Sequence, residues 1–425
     1  MTGGASFRHY PRMQLRMRTR MRHTCSAAVA IVAIAVAAAG CQRRDRDQPP
    51  GPAPTKAGAP AAGASGPASL RSAPPLPDPL PGRRTDVTAA IGKAARAAIG
   101  DLDGDGHNEI VVADAERLRV LDATGGERAS APAPGGIQAL AVADLDGDRR
   151  AEIVAGWGET REHRQAPARV DVYRLDGAQL AAEPVLAPET PRNEIAAILP
   201  LADERGAILV AYYDSKFTVR SVIARRGAPW TTTDVATIRM ATSYARWDAD
   251  GDGRPDLVVG RVYGDDKEQD GGAFVLGEGG ARAPIPTTRG VRELAVADAD
   301  GDGQPELFLA DGWHYNYGQI ARGLLTWVRR TDGAPRAEVI EDTPGQFTVG
   351  RILPADVHGD GRKEVVTLGS HYVRLFDRRS GTWRGLTLAG AARDLAVGDL
   401  DGIPGDEVLI LGAKAEIVSL RDRAR

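Results

Sequence analysis

The stretch Ala98-Ile99-Gly100-Asp101-Leu102-Asp103-Gly104-Asp105-Gly106-His107-Asn108-Glu109-Ile110-Val111-Val112 decides the fold. An apolar segment leads in, an apolar β-branched segment leads out, and a compact acidic loop lies between them. Counting from Asp101, carboxylates stand at positions 1, 3, 5 and 9 and glycines at 4 and 6. The order returns at Val296-Ala297-Asp298-Ala299-Asp300-Gly301-Asp302-Gly303-Gln304-Pro305-Glu306-Leu307, and again from Asp144, Asp248, Asp356 and Asp399. A decayed copy, Ile198-Leu199-Pro200-Leu201-Ala202, matches Ile352-Leu353-Pro354-Ala355-Asp356 and puts Ala202 at position 1. The first positions are 43, 58, 46, 50, 58 and 43 residues apart. Self-similarity on that scale marks an array of supersecondary units.

Each unit reads as β-structure. Before the second loop, Leu140 and Val142 alternate with Ala139, Ala141 and Ala143, a period of two. Alanines on one face suit an innermost strand where several strands converge. After the loops come short β-branched runs such as Ile153-Val154, Leu257-Val258-Val259 and Val365-Val366. A third run follows (Arg169–Tyr173, Val373–Phe376), and the remainder of each unit leaves room for a fourth. Seven such units predict an all-β, seven-bladed β-propeller with acidic hairpin loops between the first and second strands of its blades.

The loops have the chemistry of a cation site. Carboxylates crowded round one small centre are hard oxygen donors, and glycine lets the backbone turn with positive φ so that a carbonyl near position 7 also faces the ion. Calcium suits them, because it accepts six to eight oxygens in loose geometry. An EF-hand is excluded, since Val112 occupies position 12 and strands flank the loop. A bare acidic turn is the plainer reading, but it would crowd four carboxylates with no counter-charge. Up to six calcium sites are expected. Asp101, Asp103, Asp105 and Glu109, Asp248, Asp250, Asp252 and Asp256, and Asp298, Asp300, Asp302 and Glu306 form the complete sets, expected to bind best. Asp144, Asp146, Asp148 and Glu152 form a loop with Arg149 in place of glycine, expected to be weaker. Asp356, Asp360 and Glu364 share a loop with His358 at position 3, and Asp399, Asp401 and Glu407 share one with Ile403 at position 5. The copy at Ala202 is expected to hold nothing.

These repeats resemble FG-GAP or VCBS repeats, the unit of the integrin α-chain propeller and of many bacterial secreted proteins. The resemblance covers about residues 86–425, and the Asp-x-Asp-Gly-Asp-Gly-x-x-Glu loop is its most specific part. It implies calcium on one rim of the propeller and a role in adhesion or ligand binding. The chain departs from the pattern in lacking a clear Phe-Gly…Gly-Ala-Pro signature, of which Gly272-Ala273-Phe274-Val275 is an echo.

The N-terminal part has another character. Residues 1–40 carry six arginines and no acid, with an apolar run from Ala27 to Ala39 and Ala38-Ala39-Gly40 before Cys41. A basic region, a short apolar core and small residues are the parts of an export signal. Cys41 then falls where bacterial lipoproteins are acylated, although Ala38 stands where their lipobox usually has Leu; free secretion and an uncleaved anchor are the alternatives. Met13, Met17 and Met21 are all possible starts. From Cys41 to Arg84 the chain is rich in Pro, Ala, Gly and Ser and reads as a tether, leaving 85–425 as the propeller. Gln42, in place of an inner-membrane retention Asp, favours an exported lipoprotein at the outer membrane.

Function is less legible. Beyond residue 40 the chain holds 48 basic against 57 acidic residues, a sign that gives no reason to bind nucleic acid. It contains no Gly-x-Ser-x-Gly, His-Glu-x-x-His or phosphate-loop motif. The reading is a monomeric binding, adhesion or scaffold protein with a protein or glycan ligand. A polysaccharide-active enzyme, or its accessory partner, is the alternative. Connections between second and third strands, on the rim opposite the acidic loops, carry Trp157, Tyr263 with Asp265, and Trp313, His314 and Tyr315. These are the candidate ligand-binding residues if their aromatics are exposed, and core residues if they pack. Trp247 is expected to pack between blades. The seventh unit has 27 residues and no room for a fourth strand, so residues 85–91 are expected to supply it.

Overall fold

Segments that alternate with a period of two become inner strands, and the β-branched runs beyond the loops become second strands buried on both faces. The computed structural model describes residues 82–265, 270–287, 289–312, 323–343, 349–369, 372–377, 381–388 and 390–420. Their strands make seven four-stranded sheets. In blade 1 the order from the inside is Arg96–Gly100, Glu109–Ala113, Arg117–Leu121 and Glu127–Pro132, every pair antiparallel. Blade 2 repeats it with Gly136–Ala143, Glu152–Gly158, Arg169–Asp176 and Gln179–Leu186. Blades 3 to 7 begin with Ile195–Pro200, Ala241–Trp247, Leu294–Ala297, Arg351–Ala355 and Asp394–Gly398. The chain is a seven-bladed β-propeller.

The core lies between blades. Val111, Val120 and Ala129 of blade 1 meet Ile153, Trp157 and Tyr173 of blade 2. On the other face of blade 1, Ile110, Val112 and Leu121 meet Leu409, Leu411 and Ile417 of blade 7. Consecutive residues of one strand thus serve two different neighbours, which is why Glu109–Ala113, Ala207–Tyr213 and Glu407–Leu411 are buried throughout. Each fully buried Val or Leu contributes roughly 1.5–3 kcal/mol.

The ring closes with a strand from the start of the described chain. Arg83–Asp86 pairs antiparallel with Ala415–Ser419, Arg83 opposite Ser419 and Asp86 opposite Glu416. The closure is as expected but its bounds differ. The strand begins two residues before Thr85, inside the segment read as tether, and it ends at Asp86. Residues Thr88–Ile91 form one helical turn instead. The Asp86 carboxylate accepts the Thr88 N–H at 2.9 Å, which starts the turn. Val87 and Ile91, four residues apart, thereby enter the same blade 1–blade 7 core, where a strand would have placed them farther apart. Arg119 donates to the carbonyls of Ala90 and Ile91 at 2.8 and 2.7 Å and fixes the turn.

Candidate metal centres

The four loops at Asp101, Asp144, Asp248 and Asp298 are wound alike by their own backbone. The position-1 carboxylate accepts two N–H groups: Asp101 takes Gly104 at 2.7 Å and Gly106 at 2.9 Å, and Asp298 takes Gly301 and Gly303 at the same distances. Position 3 accepts the N–H of position 5, and position 5 accepts that of position 7. This winding needs left-handed backbone at positions 4 and 6, where Gly104 and Gly106 have φ of 78° and 87°. Arg149 holds the same conformation at φ 73° with a side chain attached, a strain of roughly 1–2 kcal/mol.

The position-9 acid works from the adjacent strand. In all six acidic loops it accepts the N–H of position 2, at 2.8 to 3.0 Å. Position 2 is an apolar anchor (Leu102, Leu145, Leu400), so the acid is drawn under the loop and buried, except Asp256, which is half-buried. Three carboxylates then offer oxygens within 4.8 Å of one another at Asp101/Asp103/Glu109, Asp144/Asp146/Glu152, Asp248/Asp250/Asp256, Asp298/Asp300/Asp302 and Asp399/Asp401/Glu407. The loop at Asp356 forms no such group; His358 stands in position 3, 4.0 Å from Glu364. Clustered carboxylates on a tight loop can hold a metal ion, and an all-oxygen donor set fits a hard one.

The acids carry the electrostatic mark of crowding. Burial, with the charges of Asp300, Asp302 and Asp298 added, pushes Glu306 up to about 7. Burial likewise pushes Glu364 to about 7, with Asp377 and Asp360 adding to it. Glu109 is raised chiefly by burial, although Arg128 lies against it.

The loops are also laced into a hoop. Ala151 N–H donates to the Asp101 carbonyl at 2.7 Å, and Gly206 N–H to that of Leu145 at 2.6 Å. Arg246 pairs with Asp203, and Trp247 Nε1 donates to the Pro305 carbonyl at 2.8 Å. Lys363 N–H reaches the Asp298 carbonyl at 3.4 Å and Asp406 N–H that of Asp356 at 2.7 Å. Asn108 Nδ2 completes the circuit on the Asp399 carbonyl at 2.8 Å. Where the donating position 8 is proline, as at Pro255 and Pro305, Arg and Trp side chains make the link. Trp247 is 3% exposed and packs between blades 4 and 5 as expected.

The opposite rim departs from expectation. Trp157 is fully buried, edge-on to Tyr173 with ring centroids 6.4 Å apart, in the core between blades 1 and 2. It is a packing residue, because second strands are covered on both faces, and it presents no ligand surface. Tyr263 is half-buried, at the end of the Asp256–Tyr263 strand. Asp265 is exposed between Arg261 at 2.7 Å and Arg282 at 3.1 Å. Partial burial opposes its ionisation, but these two arginines outweigh that and hold its carboxyl below the usual range. Trp313, His314 and Tyr315 lie outside the described residues, as do Cys41, the export segment and nearly all of the tether.

Residues that the motif reading missed are basic. Arg128 reaches Asp103 and Glu109, Arg174 and Arg226 reach Asp146 and Glu152, and Arg330 lies 3.2 Å from Asp248. They come from third and outer strands or from the next blade, so no local pattern announces them.

Comparison with known proteins agrees with this architecture. A family model described as an FG-GAP-like repeat matches residues 101–155 and 248–309, the loops and second strands of blades 1 and 2 and of blades 4 and 5. The chain therefore carries FG-GAP-like repeats. No curated protein matches it. Among solved structures, BBS1N in complex with ARL6DN is similar at 13% identity and a TM-score of 0.54, over 81% of this chain and 97% of that one. The WD40 domain of Neurospora crassa Pan2 is similar at 9% identity and a TM-score of 0.50, over 81% and 98%. At such identities the likeness is one of fold.

Proposed function

We propose that this chain is a calcium-stabilised binding or scaffold propeller, exported and held at a membrane by an acyl group on Cys41. Five loops that each bring three carboxylate oxygens within 4.8 Å carry the reading. Asp at positions 1 and 3, with the acid at position 9 or, in the Asp298 loop, Asp302 at position 5, would hold the ion, which would balance the crowded carboxylates. A stiff rim of laced loops is a support for a binding surface rather than a reaction centre, and FG-GAP-like repeats fit such a role. The ligand class in view is a protein or glycan. Melting in calcium and in chelator tests the first half. At a hundred times the dissociation constant each site adds about 2.7 kcal/mol, so chelation should lower the melting temperature by many degrees. Coincident curves would sink the calcium reading. For the second half, the full chain serves as bait in a pull-down from the native cell envelope, compared with a glycan array.

A further inference from the structure

The loop carboxylates of blades 1 and 2 are bridged from within the protein. Arg128, on the outer strand of blade 1, places one guanidinium nitrogen on Asp103 and another on Glu109. In blade 2 two guanidinium groups converge. Arg174 contacts both Asp146 and Glu152. Arg226, from blade 3, has Nη1 2.9 Å from Glu152 and 3.4 Å from Asp146. Its other end is fixed, with Nη2 3.3 Å from Glu183 and the guanidinium 5.5 Å from the centre of the Trp230 ring. In both blades the bridged acids are those of positions 3 and 9, whose oxygens belong to the three-carboxylate groups. The loop at Asp298 differs. Among the described residues, Asp298, Asp300, Asp302 and Glu306 make no ion pair with a basic side chain.

Glu109 and Glu152 are 2% exposed, so each would be a costly buried charge without a counter-ion. A guanidinium fork matches two carboxylates geometrically and meets that need. It does so with the oxygens a cation would coordinate, and a divalent ion and a guanidinium packed against the same pair repel each other. Resting on the reading of these loops as calcium sites, we infer that Arg128, Arg174 and Arg226 are built-in counter-cations that calcium must displace. The blade 1 and blade 2 loops are closed until that exchange occurs, and the Asp298 loop fills first. This lowers the Asp101 loop from the first rank that ligand count alone lets it share with the Asp298 loop.

The test uses the full chain with calcium ion alone as ligand. Binding isotherms are measured for the wild type, Arg128→Gln and the double variant Arg174→Gln/Arg226→Gln. Each is repeated with Asp101→Asn, Asp144→Asn or Asp298→Asn to assign the sites. In the wild type the tightest site should vanish with Asp298→Asn and survive Asp101→Asn. Arg128→Gln should tighten by about tenfold a site that Asp101→Asn then removes. The double variant should do the same for Asp144, independently of how well Arg128→Gln folds. Melting gives a second readout: in chelator Arg128→Gln should melt below the wild type, and saturating calcium should close the gap. Calcium bound with affinities indifferent to the arginines, or a tightest wild-type site lost with Asp101→Asn, overturns the latch and leaves the calcium reading standing. No calcium bound by any variant overturns both.

Discussion

The side-chain amide of Asn108 donates to the backbone carbonyl of Asp399 across 2.8 Å, joining the first acidic loop to the last. In the acidic loops of blades 2, 6 and 7 the backbone N–H of position 8 makes the equivalent link, as Ala151 does to Asp101. Asn108→Ala should therefore open the hoop at one seam and cost about 1 kcal/mol, a shift of a few degrees in melting temperature. A melting temperature equal to the wild type would show that the hoop is not under tension there.

The clasp made by Arg83–Asp86 should matter to every blade. Removing residues 82–87 exposes the Ala415–Ser419 strand and leaves Ile91 without its lead-in. Unfolding should remain a single transition at a much lower temperature, whereas deleting 45–75 should leave it unmoved. Two separated transitions would argue against closure by this strand.

Core packing gives a third test. Trp157→Ala removes a fully buried indole between blades 1 and 2 and should cost about 3–5 kcal/mol. Denaturant titration would reveal it. A near-neutral substitution would return Trp157 to the exposed surface from which the structure removes it.

In the metal-free protein, stability should fall as pH rises from about 4.5 to 7. Glu306 and Glu364 ordinarily titrate at 4.5 and are pushed to about 7 in the fold, so over that interval the folded state holds protons that the unfolded state has lost. The sign is negative, with an upper limit of about 3 kcal/mol for each acid. Glu306→Gln should flatten part of the slope measured in chelator. A wild-type slope of opposite sign, unchanged by Glu306→Gln, would refute the assignment.

Cys41→Ser should abolish acyl labelling and release the protein from membranes without altering its melting curve. Continued membrane association of this variant would point to an uncleaved apolar segment instead.

The blades were legible because their loops are local: Asp101 to Glu109 spans nine residues, and the hydrogen bonds that wind the loop stay within them. The count of blades followed from spacing, and the closing strand from the shortness of the last unit. Contacts made across strands were not legible. Arg226 reaches a loop 74 residues away and Arg128 one reached only through its blade's outer strand. Neither has a motif, since nothing in the spacing of an arginine says which acid it will face. Trp157 misled because a loop-end aromatic looks exposed in sequence, whereas a strand sandwiched between two sheets hides both faces. The helical turn at Thr88–Ile91 was missed because Thr, Ala, Ala and Ile serve a strand or a turn equally well, and the decision lay with Asp86 and Arg119.

The seam between the two chain ends has one more consequence. A side chain added to Gly82 would strike the Ser419 carbonyl at 2.0 Å, so the first and last described residues stand shoulder to shoulder. A short peptide joining them would cross no blade, and new ends could be cut in any surface turn, such as the one between Asp176 and Gln179. Seven permutants of the same ring should then fold alike. Within the propeller the choice of first strand is only a matter of chain order, because the seven blades form a closed ring.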